Sequence, residues 1–225
     1  MELKGAQNVF LVRVNAQSLI PTFATYFGGS GEDYGWGVAV DRGGNPVIAG
    51  TTRSRDLSVS ADAFQGASKG GADAFVARFQ GAGYREIRAT YFGGSKDDSS
   101  GYDGDDVKLD SAGNVWLVGF TASPDLPGTG GLTLLSGSER NRGFVAAFSP
   151  SLARLCFAEY DGGSEGEQLE GLALSSTGLV YATGFSFSSE VPAEAMVDRA
   201  KKGMRLNGNE VHTRILAVPA RASCR

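Results

Sequence analysis

The chain has 225 residues, a net charge of −4, one histidine and two cysteines. That length suits one large domain or two small ones, and no stretch approaches the roughly 18 apolar residues of a membrane span. One histidine and one strand-embedded cysteine exclude a His/Cys zinc site, and 33 glycines far exceed the usual ~7%.

In chain order, Gln7 to Val14 alternates Phe10, Val12 and Val14 with Leu11 and Arg13, a period of two that predicts a strand. Leu19 to Phe27 predicts a second, interrupted at Pro21 and leaving through Gly28-Gly29, where glycine permits positive φ. Gly37 to Asp41 and Pro46 to Thr52 predict a third and a fourth, joined by the hairpin turn Asp41-Arg-Gly-Gly-Asn45. There Asp bonds its own backbone and Gly takes the left-handed position. The order then repeats at Asp73 to Phe79, Arg85 to Phe92, Asp106 to Asp110 and Val115 to Thr121. A third pass gives Gly143 to Phe148, Leu155 to Tyr160, Gly171 to Leu174 and Val180 to Phe185. Long loops follow each fourth strand, with a shared Asp56-Leu-Ser, Asp125-Leu-Pro127 and Glu190-Val-Pro192 signature. Ala193 to Gly203 is the one helix candidate.

The periodicity is measurable. Ala24-Thr-Tyr-Phe-Gly-Gly-Ser30 recurs unchanged at Ala89 to Ser95 and in worn form at Glu159 to Ser164. Three markers, Tyr26/Tyr91/Tyr160, Val14/Phe79/Phe148 and Asp41/Asp110/Ser175, agree on one unit of 65 residues with a four-residue insertion between Ser95 and Val107. A fixed period of this size signals a repeat architecture. Four short strands per ~65 residues, joined by Gly-rich turns, fit an all-β fold of four-stranded antiparallel propeller blades. Adjacent columns such as Val47/Trp116/Tyr181 and Ile48/Leu117/Ala182 are both largely apolar, as expected of strands covered on both faces.

Together, Tyr-Phe-Gly-Gly-Ser, Val38-Ala-Val-Asp41 with Gly44-Asn45, and Asp73-Ala-Phe-Val-Ala-Arg-Phe79 resemble the bacterial β-propeller repeat called the SBBP repeat, over residues 8–192. The segment Val38 to Gly50 also resembles the inner strand pair of NHL-type propellers. The resemblance implies a bacterial exported or cell-surface protein, an innermost Val38 strand and an outermost Ala24 strand. It implies no particular catalytic residue. Met1 to Asn8 does not read as a signal peptide.

The expected organisation is a repeat segment at 1–192 and a divergent basic tail at 193–225. From Arg199 the tail carries seven Lys or Arg against Glu210, so the remainder carries −10. A fourth Asp-Ala-Phe-type strand is due near residue 213, where Thr213 to Val218 offers itself without aromatics. The strands amount to two complete blades, Gly37 to Phe92 and Asp106 to Tyr160, and two half-blades, about three in all. Rings typically hold about 4–8 blades. A fragment of a longer array, a ring completed by several copies, and an open arc capped by the tail all stay open.

Candidate chemistry is sparse. Asp97, Asp98, Asp103, Asp105, Asp106 and Asp110 offer oxygen ligands of the kind calcium uses, but without an EF-hand pattern; the expectation is a solvated acidic loop. Gly162-Gly-Ser164-Glu-Gly166 matches a nucleophile elbow in letters, but its serine is a repeat position and a strand follows where the motif needs a helix. His212 lies in the tail. Cys156 and Cys224 read as a buried thiol and a free tail thiol, with a disulfide as the alternative. Specific nucleic-acid recognition is not expected of acidic repeats and a tail without aromatics. No catalytic, cofactor or metal residue is assigned and no cofactor is expected. The reading is a non-enzymatic binding or scaffold module for a protein or glycan ligand. Two rivals stand beside it: a glycan hydrolase or lyase using Asp33, Asp97 or Glu165, and a self-assembling structural unit.

Overall fold

The computed structural model describes residues 2–102, 104, 106–128, 141–161 and 166–187, and the strands at 204–206 and 209–211. Among these, regular structure is β throughout except for one 3-10 turn at Ala82–Tyr84. Strand β1 (Val9–Val14) pairs antiparallel with β2 (Pro21–Phe27). Strands β3 (Asp33–Val40), β4 (Pro46–Thr52), β5 (Asp73–Gln80) and β6 (Glu86–Phe92) form a four-stranded antiparallel sheet in chain order. In the next sheet β7 (Asp98–Ser100) and β8 (Val107–Leu109) share one edge of β9 (Val115–Thr121), followed by β10 (Arg142–Phe148) and β11 (Leu155–Asp161). Strand β12 (Glu167–Leu174) pairs with β13 (Val180–Ser186), and β14 (Met204–Leu206) with β15 (Asn209–Val211). None of these sheets closes on itself.

The strand order agrees with the sequence reading, and three details differ. The second strand begins at Pro21 rather than Leu19, after a turn in which the Asn15 carbonyl and side chain accept the amides of Leu19, Gln17 and Ser18. The third begins at Asp33, four residues earlier than expected, because its first residue is a buried carboxylate described below. The strand expected at Asp106 to Asp110 is the short β8, and a further short strand, β7, precedes it on the other side of the insertion. The candidate helix at 193–203 and the candidate strand at 213–218 lie outside the described residues.

The sheets pack face to face in series. Leu11, Val9 and Phe27 of the β1–β2 pair meet Ile48, Phe75, Ala77 and Phe79 of the four-stranded sheet. The opposite face of that sheet, with Val47, Ala49, Ala74 and Val76, meets Val107, Leu117, Phe144 and Phe148 of the five-stranded sheet. The latter's far face, with Trp116, Val118 and Val145, meets Leu169, Leu172 and Ala182 of the β12–β13 pair. Alternate residues of a strand point to opposite faces, so both faces of each central sheet are core. That is why β5, β9 and β10 are almost continuously apolar where a half-exposed sheet would alternate.

The Tyr-Phe-Gly-Gly-Ser segment ties each sheet to its long loop. The Tyr91 hydroxyl accepts the Leu57 amide and donates to the Ser54 carbonyl, both at 2.9 Å. The Tyr160 hydroxyl repeats this with the Leu126 amide at 3.0 Å and the Ser123 carbonyl at 2.8 Å. The serine engages the following loop. Ser30 N–H and Oγ donate to Asp56 Oδ1, and Ser95 N–H and Oγ to Asp125 Oδ1. The Asp-Leu signature of the long loops thus has a physical basis, with Asp receiving the serine and the Leu amide capping the tyrosine. These serine donors hold Asp56 and Asp125 below the ordinary carboxylate range. The paired glycines are set by close approach. A Cβ on Gly29 would lie 2.3 Å from Asp56 Oδ1, and one on Gly94 2.5 Å from Asp125 Oδ1. Positive φ occurs at Gly28 and, in the hairpin turns, at Gly44, Gly113 and Gly178.

Tyr91→Phe strands a buried Leu57 amide and is expected to destabilise the protein by about 1–3 kcal/mol. Tyr26→Phe, at an exposed equivalent position, stays within about 0.5 kcal/mol of the parent. Urea unfolding of both variants checks the contrast.

Candidate functional site

Strand β8 stands between β3 and β12; β3 and β12 are the first strands of their sheets, and β8 shares the corresponding edge of its sheet with β7. Each has an irregularity at the same place. Trp36 is the extra residue between Gly35 and Gly37 in the β3–β4 ladder, and Glu170 between Leu169 and Gly171 in the β12–β13 ladder. The intervening unit has the longer segment 101–105 there, which is where the four-residue insertion falls. Bulges leave one residue unpaired and re-aim its side chain, and here Trp36 and Glu170 both meet Tyr102 of the inserted segment. The Trp36 and Tyr102 ring centroids are 5.1 Å apart, edge to face, and the Tyr102 amide donates to Glu170 Oε2 at 2.8 Å. Tyr34 stacks on Trp36 at 5.6 Å, and Tyr102 rests on Phe120 at 5.1 Å. Trp36 Nε1 donates to Thr51 Oγ1, which bonds Ser99 Oγ. Tyr34 and Trp36 are half-buried, whereas Tyr102 is exposed. Burial, then the Glu170 carboxylate, push the Tyr102 phenol upward, so it remains a neutral donor at physiological pH.

At the other end of these strands the hairpin turns 41–45, 110–114 and 175–179 surround a cavity of about 840 Å³, walled by Leu109, Trp116 and Val180. Arg78 crosses its base, donating to Asp41 Oδ2 at 3.0 Å and to the Gly113 carbonyl at 2.8 Å. Burial pushes Asp41 up, but the Asn45 and Gly43 donors and the Arg78 charge outweigh it and hold the carboxyl low.

The acidic residues singled out by the sequence separate into distinct environments. Asp33 is buried and takes the amide of Gly29, the hydroxyls of Thr52 and Ser54 and the amide of Asn8. Asp98 is its counterpart, holding the Gly94 amide, Ser123 and Thr121. Asp97 is exposed, accepts the Ala72 amide at 3.0 Å and lies 3.9 Å from Arg53. Asp110 is the turn residue, as Asp41 is, and also accepts Trp116 Nε1. The expectation of a solvated loop is therefore corrected at Asp98 and Asp106, both fully buried. Their position is fixed by packing between sheets, which sequence spacing does not report. Among the described residues no three His, Cys, Asp or Glu side chains gather as metal ligands. Asp103, Asp105, Ser164, Glu165 and His212 lie outside the described residues. Asp33 and Asp97, the described members of the hydrolase reading, do not share a cavity: Asp33 lines one beside β1 and is held by Ser54, whereas Asp97 lines neither that cavity nor the one between the turns and is held by the Ala72 amide. Cys156 is disulfide-bonded rather than a free thiol; Cys224 lies outside the described residues.

The aromatic group was not foreseen from sequence. Trp36 and Tyr102 are single occurrences within the repeat, and bulge positions carry no periodic signal. A scan against models of protein families finds no match to this chain, and a search of curated proteins finds none.

Asp106 gives a pH-dependent prediction. It replaces Gly37 and Gly171 of the other units, and neither of its oxygens has a hydrogen-bond partner among the described residues. Burial pushes its carboxyl up to about 6. The folded state therefore binds a proton more tightly than the unfolded chain. The stability this contributes is full below an unfolded value near 3.8 and is lost as pH rises through 6. Asp106→Asn is expected to raise stability at about pH 7.5 by on the order of 1–3 kcal/mol, and by far less at about pH 4. Thermal unfolding at the two pH values measures it.

Proposed function

We propose that the chain is a non-enzymatic binding module built from SBBP-type propeller blades, of the kind found in bacterial exported or cell-surface proteins. On this reading each four-stranded sheet unit is a blade, and β3, β8 and β12 are the innermost strands. The serial face-to-face packing and the position of β8 between β3 and β12 support it. The ligand class is a glycan. The observation that carries this is the meeting of two bulges with the inserted segment, which sets the aromatic rings of Tyr34, Trp36 and Tyr102 beside the Glu170 carboxylate and the Thr51 and Ser99 hydroxyls. Sugars combine an apolar ring face with hydroxyl donors, and binding sites commonly pair aromatic surface with a few fixed polar groups.

Isothermal titration calorimetry with soluble cello-, chito- and xylo-oligosaccharides tests this. Binding with a saturable signal is expected, weakened at least tenfold, about 1.4 kcal/mol, in Trp36→Ala. No response from any of the three series, or an unchanged affinity in Trp36→Ala, counts against the glycan reading. Oligosaccharide cleavage abolished by Asp33→Asn would move the assignment to the hydrolase class.

A further inference from the structure

The two ends of the sheet series are complementary halves. In the four-stranded sheet β5 is paired on both edges, with β4 and with β6, and in the next sheet β10 is paired with β9 and β11. Strand β1 occupies the same repeat position but pairs only with β2. Strand β13 occupies the position of β4 and β9 and, among the described residues, pairs only with β12. Among the described residues, one end therefore has an outer strand pair without its inner partner, and the other an inner pair without its outer partner.

The side chains agree. Phe10 is 71% exposed, whereas its counterparts Phe75 and Phe144 are 0% exposed. Tyr26 is 43% exposed against 1% for Tyr91 and 8% for Tyr160, and Val38 56% against 0% for Val107. In the covered copies these positions meet the preceding sheet: Phe144 and Phe148 face the four-stranded sheet, and Phe75 and Phe79 face the β1–β2 pair. Phe10, Val12 and Val14 thus form a face shaped for a sheet of this same type. A cavity of about 390 Å³ lies along β1, between Val12, Val38 and Ile48, where an inner hairpin would stand.

We propose that this edge and face are covered by a second copy of the chain, whose β12–β13 pair docks head to tail on β1. The proposal rests on the blade reading above and adds the partner and the register. Transferring the β4–β5 and β9–β10 ladders sets Ala182 opposite Val12, Thr183 opposite Leu11 and Gly184 opposite Phe10. In that register the partner's five-stranded sheet, on which its own β12–β13 pair rests, falls over Phe10, Val12 and Val14. Both unmet needs are supplied by one contact. Each copy contributes two complete sheets and two halves, so two copies joined at both ends make six, within the range of about 4–8 for closed rings. A head-to-tail contact that closes gives a ring of fixed number and not a filament.

Light scattering of the full chain after size exclusion is expected to give twice the chain mass. Phe10→Asp, at a position already exposed in the single copy, is expected to abolish the dimer with an unchanged circular-dichroism spectrum. Mixing a Val12→Cys chain with an Ala182→Cys chain under oxidation is expected to give a disulfide-linked pair. A monomer at all concentrations, or Val12→Cys linking to itself and not to Ala182→Cys, overturns the proposal. Phe75→Asp keeps that failure separate from failure of the blade reading. If it unfolds the protein while no dimer is found, only the docking is wrong; if it leaves the fold intact, the two-faced sheet reading is wrong as well.

Discussion

A β-sheet apolar on both faces has no stable existence alone. That constraint governs this molecule. The four- and five-stranded sheets expose almost none of β5, β9 or β10, and each gains its burial from a neighbour of the same kind. With roughly 25 cal/mol for each Å² of apolar surface removed from water, a bare face such as that of β5 would cost several kcal/mol. The units of such a chain are stable by adjacency, as in other repeat architectures, and the properties of its ends follow from what their neighbours supply.

Adjacency alone would leave the sheets free to slide, and the polar framework prevents it. A buried aspartate at the start of each central sheet, Asp33 or Asp98, gathers a glycine amide and two hydroxyls. Charge-assisted bonds of this kind are stronger than neutral ones, and they demand close backbone approach, which the paired glycines allow. The tyrosine hydroxyl then fastens the long loop of its own sheet, and the serine that of the next. Apolar faces set how firmly the units associate, and the polar segment sets their spacing. Asp106 departs from this economy. Its carboxylate stands where the other units have glycine, buried and without a partner among the described residues. A cost of this sort is typically tolerated near functional positions, and Asp106 directly follows the insertion that carries Tyr102.

Much of this was legible in the chain itself. The period of 65, the strand order within each unit, the hairpin turns with glycine at Gly44, Gly113 and Gly178, and the two-sided burial all follow from repeated residues, because repetition turns each local preference into several concordant observations. Strand β3 was read four residues short, since Asp33 looks like a loop acid until its donors Thr52 and Ser54 are placed around it. The acidic run from Asp97 to Asp110 was read as solvated for the same reason. Burial of a polar residue depends on partners far away in sequence.

What sequence determined by itself was the unit: its length, its strands, its turns and the existence of two apolar faces, all encoded by neighbours within a few residues or by the repeat. What only the tertiary structure decided was the meeting of Trp36, Tyr102 and Glu170, and the contrast between covered Phe75 and uncovered Phe10. The first arises where bulges of β3 and β12 meet the segment inserted before β8, and no periodicity records an irregularity. The second arises because identical residues differ only in what stands beside them, and that is a property of position in the series, absent from the residues themselves.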